Sequence, residues 1–338
     1  MKKFFAFMVV MTMLLSCSKL GGEFVVPGEE GTMPLVFAPS TDWQPFTGVK
    51  SSGRNLLVYD INDLKKYSIS LLGSASLDEE TYPVFSNQEF NWTEENGWGY
   101  SPLKYWINDA SYQFSAFCPY IRESWSNGDV TISSTDPSII IENYNTGWYS
   151  SGILSKDSRS EDLLYAKASR NTATDGYGAV SLNFEHLLSC VTFNIKNSSG
   201  RDITSISGIN LKGLDYLCRI EINLTSATIV NYTDEADTQF NGVDITTRLS
   251  NNSTIPLFDC TDLTVLPQSL YYAPIFLQFT VNYEEDDSVP YELNLGNIEA
   301  IKEWEANKKY TYNLTISSSS IDFSVSIADW IEDRVIEL

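Results

Sequence analysis

Strict alternation of apolar and polar residues is the feature that most constrains how this chain can fold. The clearest example lies in mid-chain, where the two kinds take turns along Val191, Thr192, Phe193, Asn194, Ile195 and Lys196. A repeat of two residues puts one set of side chains in a core and the other in water, as in a half-buried β-strand. Residues 309–316 and 321–327 repeat the pattern. These segments predict an antiparallel β protein.

The length of the chain and the spacing of its turn residues extend this prediction to the whole chain. With 338 residues, the chain is long enough for two domains with separate cores. Short candidate strands recur about every 8–12 residues between Gly, Asn and Asp turns, as in β-sandwiches. Turn-rich segments flank the central strand, at 170–178 and 197–201. We therefore expect an all-β protein of two sandwiches, with residues 32–178 in the first and 179–338 in the second.

The first 31 residues read as an export leader and a tether. Two lysines precede an apolar run that is too short to cross a bilayer, as in a secretory signal peptide. The run ends at residues 14–17, Leu-Leu-Ser-Cys, which resemble the bacterial lipobox. We expect cleavage to leave Cys17 at the N-terminus, where its sulfur carries the lipid anchor. Residues 18–31 contain Gly-Gly and Pro-Gly and are predicted to be a flexible tether.

Charge and chemistry exclude several classes of protein. The net charge of −22 argues against nucleic acid as a partner, because a binder must neutralise phosphates with clustered Lys and Arg. His186 is the only histidine, and no nucleophile elbow accompanies it. The acidic run 284–287 lacks the EF-hand order of ligands. We expect no enzyme, no catalytic residues, no metal and no cofactor, with His186 in a structural role.

Four cysteines remain once Cys17 is assigned to the lipid, namely Cys118, Cys190, Cys218 and Cys260. No C-x-x-C spacing supports zinc or redox chemistry. Alternation places Cys218 on an inward face and Cys190 on the outward face beside Thr192, which disfavours a bridge between these two. We expect free thiols.

The first strand and the segment after it form a second notable unit. Residues 33–39 are apolar and carry prolines at 34 and 39, which cannot donate ladder hydrogen bonds. The strand is therefore predicted at a sheet edge or in an easily removed position. A polar stretch containing Lys50 and Arg54 follows it.

Residues 84–120 are rich in aromatic side chains, which allow two interpretations. The rings are Phe85, Phe90, Trp92, Trp98, Tyr100, Tyr105, Trp106, Tyr112, Phe114, Phe117 and Tyr120. Exposed, they would make a platform for sugars; buried, they would fill a sandwich core through cross-strand pairs. Alternation within 112–120 favours the core.

Several motifs, taken in order, resemble the fimbrillin-like proteins of Bacteroidales. Residues 184–193 resemble their F-x-H-A-L-S-K-V-x-F segment, with Leu187 and Cys190 as departures. Similar matches are the aromatic block 98–120, the Asp-Leu-Leu-Tyr-Ala segment 162–166, and the C-terminal segments 304–314 and 328–330.

The resemblance implies a fold and a mode of assembly. It implies two transthyretin-like β-sandwiches in a subunit of a type V pilus, exported as a lipoprotein to the outer membrane and cell surface. A protease cuts such precursors after a basic residue, here Arg54 or Lys50. The first strand, with Leu35, Val36 and Phe37, then leaves, and the terminal strand of another pilus subunit fills the groove by strand addition.

In this chain the matching terminal segment holds Ile331, Val335 and Ile336. A host or bacterial surface ligand would be a further partner. The alternative is a monomeric surface lipoprotein that binds glycans through exposed Trp and Tyr.

Overall fold

The computed structural model describes residues 33–41, 57–125, 127–146, 149–150, 153–154, 162–232, 239–258, 262–284, 287–299, 301–318, 320–330 and 336–337. The predicted leader 1–17 and tether 18–31 lie outside these residues. So do six residues singled out from the sequence: Cys17, Lys50, Arg54, Cys260, Ile331 and Val335.

The first part of the chain forms short strands and two single-turn helices. Up to residue 186 the elements are β1 (Phe37–Ser40), α1 (Ile61–Leu64), β2 (Ile69–Leu77), β3 (Glu80–Thr93), β4 (Gly97–Gly99), β5 (Ser111–Cys118), β6 (Asp129–Ser133), β7 (Ser138–Asn145), β8 (Tyr149–Ser150), β9 (Ile153–Leu154), β10 (Leu164–Asn171), α2 (Thr172–Asp175), β11 (Val180–Asn183) and β12 (Glu185–His186).

The rest of the chain is built in the same way. Its elements are β13 (Ser189–Asn197), β14 (Ser205–Lys212), β15 (Leu217–Ile222), β16 (Ala227–Asn231), β17 (Gln239–Asn241), β18 (Thr254–Pro256), β19 (Leu263–Val265), β20 (Gln268–Ser269), β21 (Phe276–Asn282), β22 (Ser288–Asn294), a 3₁₀ turn (Leu295–Asn297), β23 (Glu303–Trp304), β24 (Lys308–Ile316), β25 (Ile321–Asp329) and β26 (Ile336–Glu337). The prediction of an all-β fold is confirmed. In the described residues, no helix is long and apolar enough to cross a membrane.

The strands assemble into four larger sheets and two small pairs. In the first half, the order is β12-β10-β5-β2-β3-β4, and β1 pairs with β11 alone. One sheet of the second half is β18-β13-β24-β25-β26, which β19 joins through β13. The sheet β22-β21-β14-β17-β9-β8 adds two strands from before residue 178, β8 and β9, to strands of the second half. The fourth, β16-β15-β7-β6, combines strands from both sides of residue 178. The division into two sandwiches at 178/179 stays a prediction.

Three hydrophobic clusters hold these sheets together. One lies under the sheet of β2, β3 and β5 and includes most of the aromatic block. Six of those rings are buried, namely Phe85, Phe90, Trp106, Tyr112, Phe114 and Phe117, so the core interpretation is confirmed for them. A second cluster lies between the sheets of the C-terminal half. The third draws residues from both halves, from Leu57 to Trp330.

The central strand β13 differs from the prediction on one of its faces. Val191, Phe193 and Ile195 enter the C-terminal core as alternation predicts. Cys190 and Thr192 are also buried, so their predicted exposure was wrong. The third cluster covers Cys190 from the N-terminal half. A strand in the middle of a sheet, with layers on both sides, is buried on both faces over part of its length.

Among the described residues, Cys118, Cys190 and Cys218 form no disulfide, in agreement with the prediction. The orientation argument against a bridge fails, however, because Cys190 and Cys218 belong to the same cluster. Burial raises the pKa of the Cys218 thiol to about 12. Burial, with Asp262 nearby, also raises the pKa of Cys190 well above its ordinary value. Both thiols are therefore protonated and inert in the folded chain.

Candidate functional site

The first strand lies across the N-terminal half and pairs with two different segments, one at its beginning and one at its end. Its beginning pairs antiparallel with residues 104–106, through hydrogen bonds from Leu35 N to Lys104 O (2.8 Å) and from Trp106 N to Met33 O (3.0 Å). Its end, β1, pairs in parallel with β11, in a register that sets Phe37 beside Val180. Within the part of the chain that the structure describes, each part of the strand therefore has one hydrogen-bonded neighbour strand, which agrees with the predicted edge position.

The two prolines fit this arrangement because their missing N–H groups point away from both partners. Carbonyls of Val36 and Ser40 accept bonds from β11, so even-numbered residues of β1 face that strand. Pro39, an odd-numbered residue, would direct its nitrogen to the other side. Pro34 lies between Met33 and Leu35, whose backbone groups face residues 104–106. Proline at these two positions costs the strand no ladder hydrogen bond.

Phe37 is the main apolar contact of the first strand. Its ring lies edge-on to four others, with centroid distances of 5.1 Å to Phe114, 5.8 Å to Phe85 and Phe90, and 6.1 Å to Tyr100. The Tyr100 hydroxyl also donates a hydrogen bond to Leu35 O at 2.9 Å. Burial raises the pKa of that hydroxyl. Without the strand, this ring pocket would be an open apolar groove.

Alternation along the strand divides its residues between core and solvent. Leu35 and Phe37 are 1% and 4% exposed, whereas Val36 is 48% exposed. Leu35 and Phe37 thus occupy the groove, while Val36 contributes through its backbone carbonyl, which accepts from Val180 N at 2.8 Å. The three residues singled out from the sequence lie in one strand but have different roles.

The terminal segment lies against the C-terminal half. Ile336 pairs with Ile327, and Glu337 with Ser326, in an antiparallel register that adds β26 to β25. The structure does not bring Ile336 to the groove of the first strand. As a backbone segment it already behaves as an added strand, here within its own chain.

A polar network joins the two halves at the only histidine. His186 Nδ1 lies 2.9 Å from Asp162 Oδ1, with both side chains at most 1% exposed. The second carboxylate oxygen accepts from Val58 N at 3.0 Å. The imidazole stacks on Trp330, with centroids 3.9 Å apart and planes 10° from parallel. His186 is buried among these contacts and connects the start and the end of the folded body, while its structural role stays a prediction.

Asp262 forms a second buried junction beside the first. It accepts hydrogen bonds from Thr192 Oγ1 (2.6 Å) and from the Tyr59 hydroxyl (3.0 Å). Lys309 Nζ lies 2.9 Å from the same carboxylate. Buried carboxylates persist only when paired or hydrogen-bonded, and both conditions hold here. Tyr59, on the N-terminal side, is thereby fixed to β13 and β24.

The buried contacts around Asp162, His186 and Asp262 form a seam between the two halves. Segments recognised from the sequence converge on this seam. Asp162, His186 and Trp330 come from three separate motifs, and Asn307 comes from a fourth. The Asn307 side chain accepts from His186 N at 3.3 Å, and its carbonyl accepts from Trp330 N at 3.0 Å. Asp262 had no motif to mark it and was missed. Among the described residues, no cluster of three metal-ligating side chains is present.

We predict that Phe37→Ala destabilises the uncut precursor by about 3–5 kcal/mol, because it empties the ring pocket. The measurement is the free energy of unfolding in denaturant. Val36→Ala, one residue away and half exposed, is the matched control and should cost no more than about 0.5 kcal/mol. Equal effects of the two substitutions would contradict the assignment of Phe37 as the strand's main apolar contact.

We predict that Asp162→Ala destabilises the folded body by about 2–5 kcal/mol, because the Val58 amide and the His186 ring lose their buried acceptor. Thermal or denaturant unfolding measures the change. Asp136→Ala, at an exposed turn, should change stability by less than about 0.5 kcal/mol. A neutral Asp162→Ala variant would show that the seam contributes nothing to stability.

Comparisons with known proteins agree with this geometry. A family described as fimbrillin-like matches residues 60–330, which is most of the chain. The fold is similar to that of a fimbrial protein from Bacteroides vulgatus, with a TM-score of 0.59 at 15% identity, covering 88% of this chain and 99% of the other. It is also similar to a protein from Bacteroides ovatus with a proposed role in cell adhesion. That match has a TM-score of 0.50 at 14% identity and covers 79% and 88% of the two chains.

At this level of identity the structural likenesses show the fold alone. No functionally curated protein matches the sequence. The match of the family model over residues 60–330 carries the assignment, and it includes the seam residues Asp162, His186 and Trp330. The chain belongs to the fimbrillin-like family.

Proposed function

We propose that this protein is a subunit of a type V pilus that joins its neighbours by β-strand exchange. The observation that carries the proposal is the position of the first strand. Its Phe37 fills an aromatic pocket, and its backbone pairs with residues 104–106 at the beginning and with β11 at the end. A strand held in this way can be replaced by another of similar pattern, since main-chain bonds provide affinity and alternate side chains provide register.

The groove explains why removal of the strand would drive assembly. Burial of a Phe or Leu side chain contributes about 1.5–3 kcal/mol, so an empty groove is costly in water. Large exposed apolar patches on soluble proteins mark interaction sites. A subunit that has lost residues 33–41 would therefore bind an extended apolar segment from a neighbour.

The position of the basic residues supports processing in the linker. Lys50 and Arg54 lie between residues 41 and 57, the segment that connects the first strand to the folded body. A cut after either residue would break the covalent link between strand and body. The body would keep its start in place, because Val58 N is bound to Asp162 and the Tyr59 hydroxyl to Asp262.

The remaining parts of the proposal concern export and the donor strand. Cys17 would carry the lipid that delivers the precursor to the outer membrane and cell surface. The terminal segment, with Ile331, Val335 and Ile336, would supply the strand that a neighbouring subunit accepts. In the structure residues 336–337 pair with β25 of their own chain, so this segment would have to leave that pairing to act as a donor, and the alternative is that it only closes the fold.

The alternative, a monomeric glycan-binding lipoprotein, depends on exposed aromatic rings. Tyr271 and Tyr272 do stand out, at 64% and 88% exposed. Most of the aromatic block at 84–120, however, lies in the core around Phe37. The pilus subunit is therefore the better-supported function, and ligand binding would be an additional property of it.

We predict that Arg54→Ala blocks maturation. Mature wild-type protein from native cells should begin at Asn55 by intact mass, whereas the variant should keep the precursor mass and form no fibres in electron micrographs. Lys50→Ala is the matched control and should mature normally. Normal fibres from Arg54→Ala would exclude Arg54 as the cleavage site, and normal fibres from the double variant would contradict processing at either residue.

A further inference from the structure

A cleft on the N-terminal half is lined by aromatic and cationic side chains. It has a volume of about 420 Å³ and lies between the turn after α1 and the loop after β5. We call it the aromatic cleft and define it by Lys66, Tyr67, Tyr120, Arg122 and Trp125. The three rings are half-buried and the two cationic side chains are exposed. The volume lies within the range of small-ligand sites, and the lining combines aromatic rings with a larger share of polar surface.

The walls of the aromatic cleft are held by contacts outside it. Tyr120 N donates to Ser68 O at 2.7 Å, which joins the two sides of the cleft. Trp125 stacks on the buried Tyr144, with centroids 5.5 Å apart and planes 25° from parallel. The Trp125 ring and the Tyr120 backbone are therefore positioned by the fold itself, which lowers the entropic cost of binding.

Arg122 supplies a guanidinium group that is weakly engaged by the protein. Its side chain is 69% exposed, and its nearest carboxylate, Glu89, lies at 4.0 Å, the outer limit of an ion pair. Exposed pairs of this kind are worth little. The guanidinium also lies 5.8 Å from the centre of the Tyr120 ring. By contrast, Lys66 Nζ is 2.6 Å from Asp63. Arg122 is thus the cation that a ligand would meet.

Glu89 connects the aromatic cleft to a second, polar groove of about 430 Å³. That groove follows the outer face of the β3–β4 hairpin, where Asn91 pairs with Gly99. A side chain at Gly99 would meet no atom within 4 Å, so the floor there is open backbone. Amide and hydroxyl side chains, including Asn91 and Thr93, line the groove. Arg122 lines the aromatic cleft and Glu89 lines the polar groove, so their contact at 4.0 Å lies between the two depressions.

We propose that the aromatic cleft and the polar groove bind a glycan that carries a carboxylate, such as a uronic or sialic acid. Rings in the aromatic cleft would stack on the sugar, Arg122 would form a two-pronged hydrogen bond with its carboxylate, and the polar groove would receive the following residues of the chain. In a protein of net charge −22, an anionic ligand needs a local cation of this kind. The proposal names the ligand class of the adhesive subunit and rests on that proposed function.

The test is a binding titration on the purified precursor, with probes that differ only in the acid group. Suitable pairs are sialyllactose with its carboxyl methyl ester and a galacturonic acid trisaccharide with the methyl ester of the same trisaccharide. We expect at least one acidic probe to bind about tenfold tighter than its neutral partner, and Arg122→Gln to remove that difference, as loss of a charge-assisted bond would.

Arg201→Gln is the matched control. Arg201 also lies over a tyrosine, at 4.2 Å from the Tyr283 ring, and pairs with Asp287, but it lies on the C-terminal half. It should bind both probes like the wild type. Failure of both acidic probes to bind, equal binding of acidic and neutral probes, or an equal loss with Arg201→Gln would overturn the proposal. Because the titration needs no fibres, its result is independent of strand exchange, and failed assembly in cells would leave it unchanged.

Discussion

The packing of Phe37 against four aromatic rings is the interaction on which the N-terminal half depends. The ring comes from a strand that precedes the rest of the body by a linker, yet it completes the core between Phe85, Phe90, Tyr100 and Phe114. The core needs an apolar strand in this position, but the strand does not have to come from the same chain. This combination makes exchange plausible on physical grounds, because whatever leaves the groove must be replaced by something of similar shape.

The seam at His186 joins the beginning of the folded body to its end. Val58, where the body begins, and Trp330, where the last long strand ends, are bound to the same Asp162–His186 pair. Under the proposed strand exchange, a load on the subunit would pass between its two halves, and this buried network is one of the contacts that join them. Residues from several separate sequence motifs therefore meet in one buried contact, which gives each of these motifs a role in the fold.

Sequence patterns were sufficient for the class of fold and for individual strands, since alternation reports one buried face directly. They placed Val191, Phe193 and Ile195 in the core correctly. They failed for Cys190 and Thr192, because burial of the second face depends on a layer contributed by distant residues. The pairing of β7 with β15 across residue 178 could not be read from periodicity, which carries no information about partners. Similarly, Phe37 was singled out as part of a strand, but its four ring contacts come from residues 48 to 77 positions away and only the fold reveals them.

In the proposed mechanism the first strand must leave its groove before subunits can join, and a reversible covalent lock on that strand tests this requirement. Ala38 and Ser181 are register partners in the β1–β11 pair, and both are exposed. Cysteines at both positions should lie within reach of a disulfide, which spans Cα separations of about 4.4–6.8 Å. The oxidised double variant should be cut in the linker, retain its strand and form no fibres until a reductant is added, while Ala38→Cys alone assembles normally. Fibres that form with the disulfide intact would contradict the requirement that the first strand leaves its groove.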